Sequence, residues 1–269
     1  MGGALSSGAR ELESHPRSAL YPSLEGRTVF ITGGGSGIGA SLTRAFARQK
    51  AKVAFVDIAL DASRRLVDEI RRDGGVEPLF LACDLRDVEA LRASIDTARQ
   101  RLGNIAVLLN NAASDDRHRV EEVTPAQWDE RIAVNLRPMF FAAQAVVAQM
   151  RELGGGSIIN FGSICWRIGT PDLPIYATAK AAVHGLSRSL ARELGGHGIR
   201  VNTLSPGCVM TERQLRLWVT PQKQEIILAS QYLKRLIRPD DIAQFALFLA
   251  ADDSATCTAQ EIIVDAGWA

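Results

Sequence analysis

Residues Thr32-Gly33-Gly34-Gly35-Ser36-Gly37-Ile38-Gly39 form a glycine-rich turn between a short apolar run, 28–32, and an amphipathic stretch, 38–49. Glycine is needed where the backbone turns sharply and where a phosphate group must approach without a Cβ atom in the way. The amphipathic stretch has helical periodicity, so its first free N–H groups would point at such a phosphate. A lone glycine run is weak evidence, but this one has the strand-turn-helix context of a dinucleotide site.

The rest of the chain alternates between short β-branched, apolar runs and longer amphipathic stretches. Most runs are continuously apolar, as expected of parallel strands that are covered on both faces. Seven runs predict strands, at 28–32, 53–57, 77–82, 105–110, 156–161, 200–205 and 261–264. Six stretches predict helices, at 38–49, 62–72, 88–102, 125–151, 175–194 and 239–250. This order predicts a single doubly wound α/β domain of Rossmann type with a seven-stranded parallel sheet.

Local signals refine two parts of this scheme. Asp87 and Thr124 stand where helices are predicted to start, so both are expected to be N-caps. Residues 207–230 are expected to form a long loop that carries Trp218 among charged residues. Long loops in compact domains are usually functional or disordered. We therefore interpret this segment as a substrate lid or pocket wall, with a plain surface insertion as the alternative.

The overall composition narrows the class of protein. The 269 residues suit one α/β sheet domain, and 31 Lys and Arg nearly cancel 30 Asp and Glu, so no nucleic-acid partner is expected. No apolar run reaches the roughly 20 residues that span a bilayer, so no membrane partner is expected. Residues 1–25 are predicted to be a flexible tail, and 26–269 the dinucleotide-binding catalytic domain. The first twenty residues lack a signal peptide's apolar stretch, so we expect a cytoplasmic protein.

The four cysteines are widely spread, without a CxxC pattern or a neighbouring histidine cluster. We therefore expect free thiols in a reducing compartment and no metal site.

Asp57 ends the second predicted strand, eighteen residues after Gly39. An acidic side chain at this position accepts hydrogen bonds from the adenosine ribose hydroxyls and repels a 2′-phosphate. Residues 58–61 contain no basic side chain. The expected cofactor is therefore NAD in preference to NADP, and an ordinary solvated aspartate is the alternative interpretation.

Polar residues also follow the third and fourth predicted strands, at the edge of the sheet where ligands bind in open α/β folds. Asp84 is a candidate to hold the adenine amino group. After Asn110 and Asn111, small residues at 112 and 113 leave room for the cofactor.

Tyr176 and Lys180 lie four residues apart, on one face of a predicted helix. A free tyrosine has a pKa of about 10, and a neighbouring ammonium is expected to lower it so that the phenol can act as a base. The spacing alone is common by chance, and a tyrosine packed over a lysine stem is the alternative. Here the pair follows Ser163 by thirteen residues and lies downstream of the glycine turn, which makes a chance occurrence very improbable.

These motifs together resemble the short-chain dehydrogenase/reductase family over residues 26–269. The family's Asn-Asn-Ala-Gly motif is similar to 110–113, with Ala113 in place of glycine, and its Pro-Gly turn falls on Pro206-Gly207. The resemblance implies a catalytic tetrad of Asn135, Ser163, Tyr176 and Lys180. It also implies cofactor contacts from Gly33, Gly35, Ser36, Gly37, Ile38, Asp57, Ile58, Asp84, Leu85, Asn111, Tyr176, Lys180, Pro206, Gly207, Val209 and Thr211.

By this resemblance Tyr176 abstracts a hydroxyl proton while hydride passes to the nicotinamide. Ser163 binds the substrate oxygen, and Lys180 holds the nicotinamide ribose and tunes Tyr176. Asn135 maintains a water-mediated proton path, with a helix amide bonded to local backbone as the alternative. The family also implies a homotetramer or homodimer formed through helix 125–151, the helix of Tyr176 and the C-terminal segment.

Four shorter segments, 115–119, 127–131, 160–166 and 265–268, resemble the bacterial aldose 1-dehydrogenases of this family. The implied reaction oxidises a sugar at C1 to the aldonolactone. The sugar is a pentose such as D-xylose or L-arabinose, or a hexose such as galactose or fucose. Candidate substrate residues are Ser163, Cys165, Trp166, Tyr176, Cys208, Gln214 and Trp218, the non-catalytic ones with structural packing as the alternative.

Two other functions stay open on the sequence. One is an NAD(P)-dependent alcohol dehydrogenase or a ketone or 3-oxoacyl reductase of the same family. The other is a nucleotide-binding regulator without turnover, which the complete tetrad disfavours. His118 beside Asp116 is not expected to act as a catalytic relay, because Tyr176 supplies the base.

Overall fold

The structure is a computed structural model that describes residues 19–269. Its seven strands are Thr28–Thr32 (β1), Lys52–Asp57 (β2), Leu79–Ala82 (β3), Ile105–Asn110 (β4), Gly156–Phe161 (β5), Ile199–Pro206 (β6) and Glu261–Val264 (β7). They form one sheet of order β3-β2-β1-β4-β5-β6-β7, in which every neighbouring pair is parallel. The predicted strands are confirmed, with ends that shift by two residues at most. The winding reverses between β1 and β4, where such sheets open a crevice at their carboxyl edge.

Helices cover both faces of this sheet. Within residues 19–269 the α-helices are Gly37–Arg48 (α1), Leu60–Arg72 (α2), Val88–Leu102 (α3), Pro125–Asn135 (α4), Arg137–Glu152 (α5), Pro174–Leu194 (α6), Glu212–Leu217 (α7), Pro221–Ser230 (α8) and Pro239–Ala250 (α9). Asp87 and Thr124 are confirmed as N-caps, because their side chains accept hydrogen bonds from the backbone N–H groups of Ala90 and Gln127.

The core consists of two apolar layers, one on each face of the sheet. Alternate residues of β1 point in opposite directions, so Val29 and Ile31 pack with residues of α1, α2 and α9. Phe30 and Leu108 belong to the other layer, with residues of α3, α5 and α6. All five residues of β1 are buried. Cover on both faces explains why the strand runs are apolar throughout.

The single helix predicted over 125–151 is wrong, since the chain breaks at Leu136 into α4 and α5. Leu136 has φ −134° and ψ −53°, outside the helical range. Pro138 explains the break, because proline has no N–H to donate to the carbonyl one turn earlier and its ring clashes there.

The loop predicted over 207–230 is also wrong as a secondary structure, because α7 and α8 occupy most of it. Thr211 and Thr220 cap the two helices by accepting hydrogen bonds from the N–H groups of Gln214 and Lys223, each at 3.2 Å. Pro221 follows directly as the first residue of α8. Threonine at an N-cap position can be recognised in a sequence, so these two threonines could have predicted the helices.

Residues 19–25 pack onto the domain although they fall in the predicted tail. The Gln49 side chain accepts a hydrogen bond from the Tyr21 N–H and donates one to the Ala19 carbonyl, both at 2.8 Å. Leu24 is fully buried. The rest of the predicted tail, residues 1–18, lies outside the described residues.

Two further features concern the described range as a whole. None of its helices combines the length and the apolar character needed to cross a membrane. Between residues 19 and 269 no three His, Cys, Asp or Glu side chains are grouped as metal ligands.

Candidate active site

The carboxyl ends of β1, β4, β5 and β6 meet at one edge of the sheet, because the strands are parallel. The residues that follow these ends are Gly33, Asn111, Gly162 and Gly207. The predicted cofactor and catalytic residues therefore come together along one crevice, although they are far apart in sequence.

The glycine loop after β1 is held by close backbone contacts. Gly33 has φ +67°, and a Cβ atom there would lie 2.8 Å from the Ala112 Cα. A Cβ atom on Gly39 would overlap the Gly33 carbonyl oxygen. The Asn111 amide donates to the carbonyls of Thr32 and Gly33, at 3.1 and 3.0 Å. This geometry requires glycine, and we call this loop together with the start of α1 the cradle.

Asp57 supports the same loop from the end of β2. Its carboxylate accepts hydrogen bonds from the N–H groups of Gly35 at 2.8 Å and Ala59 at 2.9 Å. A Cβ atom on Gly35 would overlap the hydroxyl of Ser63, a buried α2 residue that the sequence did not single out. A carboxylate has about four acceptor positions, so two remain for donors such as ribose hydroxyls.

The start of α1 is suited to an anion. Ser36 is its N-cap residue, and its side chain makes no capping hydrogen bond within the described residues. The first N–H groups of the helix are therefore available to a phosphate. Thr211 borders the cradle from the opposite side, since its Cγ2 atom would lie 3.3 Å from a Cβ atom on Gly37. Together, the glycine loop, the free N–H groups at the start of α1 and the Asp57 carboxylate fit a dinucleotide.

The other predicted cofactor residues flank this cradle. Asp84 binds the N–H and the guanidinium of Arg86, and the Arg86 side chain lowers the pKa of that carboxyl. Gly207 donates to the Val264 carbonyl at 2.9 Å, while Val209 forms an isolated bridge with Ile237. Leu85 is buried, Ile58 is exposed, and Pro206 is the last residue of β6.

Three of the four predicted catalytic residues lie together. Tyr176 and Lys180 are one turn apart on α6, and Ser163 follows β5 as the N-cap of the short 3-10 helix Ile164–Trp166. The Lys180 Nζ atom donates to the Phe161 carbonyl at 2.7 Å and lies 5.5 Å from the centre of the Tyr176 ring. The Ser163 hydroxyl accepts a hydrogen bond from the Cys165 N–H at 3.2 Å.

Asn135 is fully buried at the end of α4. Its side-chain oxygen accepts from the Ser114 N–H at 2.8 Å, and its amide donates to the Ser114 carbonyl at 3.0 Å. The partner backbone is therefore the loop after β4 and not the local helix. Asn135 fixes this loop beside the crevice, and the proton path implied for it stays a prediction.

The ionisable groups at this site are shifted in opposite directions. Burial, with smaller contributions from the charges of Cys165 and Asp115, raises the pKa of Tyr176 above its ordinary value, and the hydrogen bond with Ser163 acts against this. Burial lowers the pKa of Lys180 to about 8, because it disfavours the ammonium. The expected lowering of the Tyr176 pKa by Lys180 is not found in the protein by itself.

Two of the predicted substrate residues, Gln214 and Trp218, contact the loop after β4. Gln214 of α7 donates to Asp115 at 2.5 Å, and the Arg117 guanidinium lies 5.0 Å from the centre of the Trp218 ring. Burial raises the pKa of the Cys165 and Cys208 thiols, and in both cases the charge of Asp115 adds to the effect.

Trp166 lies apart from that group. Its ring packs at 5.2 Å from the His184 ring and beneath the Arg167 guanidinium, next to Glu261 of β7. Trp166, the last residue of the 3-10 helix after Ser163, therefore points toward His184, Arg167 and Glu261. The periodicity of the sequence does not predict this orientation.

A group of charged residues that was not predicted from the sequence joins α7 to the loop after β4. Arg213 pairs with Asp116 at 2.5 Å and with Asp115 at 3.3 Å, and Arg131 of α4 pairs with Asp116 at 2.6 Å. The His118 Nδ1 atom lies 3.2 Å from the backbone carbonyl oxygen of Asp116. The local signal for this group was the clustering of acidic and basic residues in 115–119 and 212–216.

Comparisons with known proteins agree with this geometry. A family model described as enoyl-(acyl carrier protein) reductase matches residues 33–269. The chain is 51% identical over 251 residues to the D-xylose 1-dehydrogenase of Caulobacter vibrioides, covering 93% of this chain and 99% of that protein. It is 50% identical over 250 residues to a "Probable galactose dehydrogenase" of Rhizobium meliloti, covering 93% and 98%.

Solved structures show the same architecture. The chain superposes with a TM-score of 0.87 and 32% identity on a 7α-hydroxysteroid dehydrogenase solved with NADH and a 7-oxo bile acid, covering 92% of this chain and 96% of that one. The chain belongs to the short-chain dehydrogenase/reductase family and is an oxidoreductase of that family. Dehydrogenases of this family use a nicotinamide dinucleotide, NAD or NADP, and act on small molecules.

Proposed function

We propose that the protein oxidises the anomeric hydroxyl of an aldose to the aldonolactone with NAD, using Tyr176 as the general base. The proposed substrate is a pentose such as D-xylose or L-arabinose, or a hexose such as galactose or fucose. The observation that carries the proposal is the placement of Tyr176 with the buried Lys180, whose Nζ atom lies 5.5 Å from the centre of the Tyr176 ring, on the helix that packs against β5 and Ser163. The identities to two sugar dehydrogenases over 93% of the chain support the substrate class.

Each catalytic side chain has a defined task in this reaction. Ser163 accepts a hydrogen bond from the Cys165 N–H, and its hydroxyl proton can be donated to the substrate oxygen once the substrate is bound. Tyr176 takes the hydroxyl proton from that oxygen. Oxidised nicotinamide, when bound, accepts the hydride and adds a positive charge near the phenol.

Charge explains when Tyr176 becomes active. Its raised pKa keeps the phenol protonated in the free protein, so positive charge must be added before it can ionise. Lys180 donates one hydrogen bond to Phe161, and an ammonium has two further protons to donate to a ribose hydroxyl or to the phenol. We therefore expect activity to rise with pH as the proton of Tyr176 is lost.

The preference for NAD rests on Asp57. The carboxylate is fixed by two backbone N–H groups at the end of β2 and keeps two acceptor positions. It suits ribose hydroxyls and repels a 2′-phosphate. Ile58, which follows it, is exposed and uncharged.

We further propose a cytoplasmic homotetramer or homodimer. The four cysteines of the chain are free thiols, which suits a reducing compartment. Phe140 on α5 and Phe245 and Phe248 on α9 are large exposed apolar side chains that a second subunit could cover. Light scattering of the purified chain tests the assembly, and a monomer at micromolar concentration would contradict it.

The deciding experiment is a panel of pentoses and hexoses with NAD and NADP side by side, followed by the absorbance of the reduced cofactor. We expect oxidation of at least one aldose and a preference for NAD of about tenfold or more, since like-charge repulsion costs at least about 1.4 kcal/mol. An acetoacetyl thioester reduced with NADH in the same assay covers the 3-oxoacyl alternative. Turnover of the thioester without turnover of any aldose would contradict the proposal.

Tyr176→Phe tests the mechanism on the best aldose. We expect kcat to fall by about 10³-fold, the range of a lost general base. The affinity for NADH, measured by fluorescence, should change by less than about threefold, because a phenylalanine ring keeps the shape of the site. Turnover near the wild-type rate would show that another group is the base.

A further inference from the structure

Asp115 lies in the loop after β4 and is held in one orientation by helix α7. Gln214 donates to its Oδ2 atom at 2.5 Å, and the Arg213 guanidinium lies 3.3 Å from its Oδ1 atom. Only 20% of the side chain is exposed. These partners are almost a hundred residues away in sequence, so the position of this carboxylate depends on the tertiary structure.

The Asp115 carboxylate lies at the same edge of the sheet as the reacting groups, because Asp115 is in the loop that follows β4. Its neighbour Ser114 is held by two hydrogen bonds with Asn135. The negative charge of Asp115 also contributes, after burial, to the raised pKa values of Tyr176 and Cys208.

This location carries a cost for catalysis. A negative charge near Tyr176 makes the phenol harder to ionise and so opposes its action as a base. The protein nevertheless holds the charge there with two side chains. A role in binding would offset that cost.

The acceptor capacity of the carboxylate is incompletely used. A carboxylate has about four acceptor positions, and Gln214 and Arg213 take two of them. The adjacent Asp116 differs, because Ser114, Arg131 and Arg213 all donate to it. Asp116 therefore anchors the loop, while Asp115 keeps two free acceptor positions.

We propose that Asp115 is a specificity-determining residue that accepts hydrogen bonds from sugar hydroxyls on ring carbons other than the one oxidised. This inference rests on the proposed function. A substrate without such hydroxyls leaves the carboxylate unpaired in a largely buried place and is disfavoured. A hydrogen bond to a charged group contributes about 1.5–3 kcal/mol, which corresponds to roughly 10- to 100-fold in kcat/KM.

The test compares Asp115→Asn with wild type on two substrates. One is the best aldose, and the other is 2-hydroxytetrahydropyran, a cyclic hemiacetal with the same reacting group and no other hydroxyl. We expect kcat/KM to fall about 10- to 100-fold on the aldose and to change less than about threefold on the hemiacetal. The acidic limb of the pH profile should move to lower pH on both substrates, because Tyr176 loses a neighbouring negative charge.

Asp116→Asn is the matched control, because it removes ion pairs with Arg131 and Arg213 without removing the Asp115 carboxylate. It should lower kcat/KM by a similar factor on both substrates. Circular dichroism and Tm establish that each variant is folded.

The possible failures are distinguishable. If wild type oxidises aldoses but Asp115→Asn loses the same factor on both substrates, or loses nothing, the assignment of Asp115 is wrong and the sugar activity stands. An acidic limb that does not move would likewise overturn the placement of Asp115 beside Tyr176. If wild type oxidises the hemiacetal but no aldose, the proposed function fails and the assignment fails with it.

Discussion

The dinucleotide half of the crevice and the substrate half are held in place by different kinds of contact. On the dinucleotide side, the glycine loop is fixed by backbone groups and by Asp57, which lies 22 residues from its partner Gly35. On the substrate side, side chains join α7 to the loop after β4, and Arg213 lies 97 residues from its partner Asp116. The first arrangement consists mainly of backbone contacts, whereas the second consists of side chains whose carboxylates are 20–45% exposed.

The difference follows from what each half must recognise. The dinucleotide has the same structure whatever the substrate, so its site can be built from backbone atoms. A substitution in the glycine loop disturbs such a site mainly by adding a Cβ atom. Substrates vary between members of one fold, and side chains on loops can change without disturbing the sheet. We therefore expect small substitutions to weaken dinucleotide binding strongly on the dinucleotide side, and to alter the choice of substrate on the substrate side.

Among these variants, Gly35→Ala should have the largest effect on NADH affinity although it adds only one methyl group. The new Cβ atom would overlap the Ser63 hydroxyl and press on the Asp57 carboxylate. We expect NADH to bind about 100-fold more weakly, a loss of about 2.7 kcal/mol. Fluorescence titration with NADH measures the dissociation constant.

Ser63→Ala provides the matched control for that variant. Alone it should change NADH affinity by less than about threefold, since it removes a buried hydroxyl that has no partner within residues 19–269. Combined with Gly35→Ala it should restore part of the lost affinity, because it removes the overlapping oxygen. A double variant as weak as Gly35→Ala would show that this contact does not hold the loop.

Lys180 lies between the two halves, and its burial predicts a pH dependence of stability. Its pKa is lowered to about 8 from an ordinary value of 10.5. Between these values the unfolded chain holds a proton that the native protein lacks, so the contribution of Lys180 to stability rises with pH. Relative to Lys180→Met, wild type should gain about 2 kcal/mol from about pH 8 to pH 9.5.

Urea unfolding at a series of pH values measures this gain. Lys52→Met, at an exposed lysine that begins β2, is the control and should give a curve parallel to that of wild type. Parallel curves for Lys180→Met and wild type would mean that Lys180 is not buried as an ammonium at neutral pH.

Arg213→Gln should have the smallest effect on stability. Its ion pairs with Asp115 and Asp116 are 20–45% exposed at the carboxylates, and exposed pairs contribute about 0.2–1 kcal/mol. We expect a loss of stability below about 1 kcal/mol, faster hydrogen exchange in α7, and a KM for the aldose raised about threefold. Affinity for NADH should stay within about twofold. A large loss of NADH affinity would mean that the two halves are not independent.

Much of the fold and of the candidate site could be predicted from local signals in the sequence. The seven strands followed from continuous apolar runs, and the glycine loop and Asp57 followed from their places at strand ends. The positions of Ser163, Tyr176 and Lys180 followed from the order of motifs, since the chain's own topology brings β5 and α6 together. The break at Leu136 and the helices within 207–230 also had local signals, in Pro138 and in Thr211 and Thr220, that periodicity alone does not weigh.

The sequence by itself determined the parallel sheet, the glycine loop and the class of reaction. These depend on hydrophobic periodicity, on glycine and on the residues at strand ends. The tertiary structure alone decided which acid is held by α7, where Trp166 points, and that burial raises the pKa of Tyr176. Those properties depend on contacts between residues far apart along the chain, whose geometry and desolvation no local pattern encodes. Asp115 and Asp116 are adjacent and chemically identical, and only their partners separate an anchor from a pocket residue.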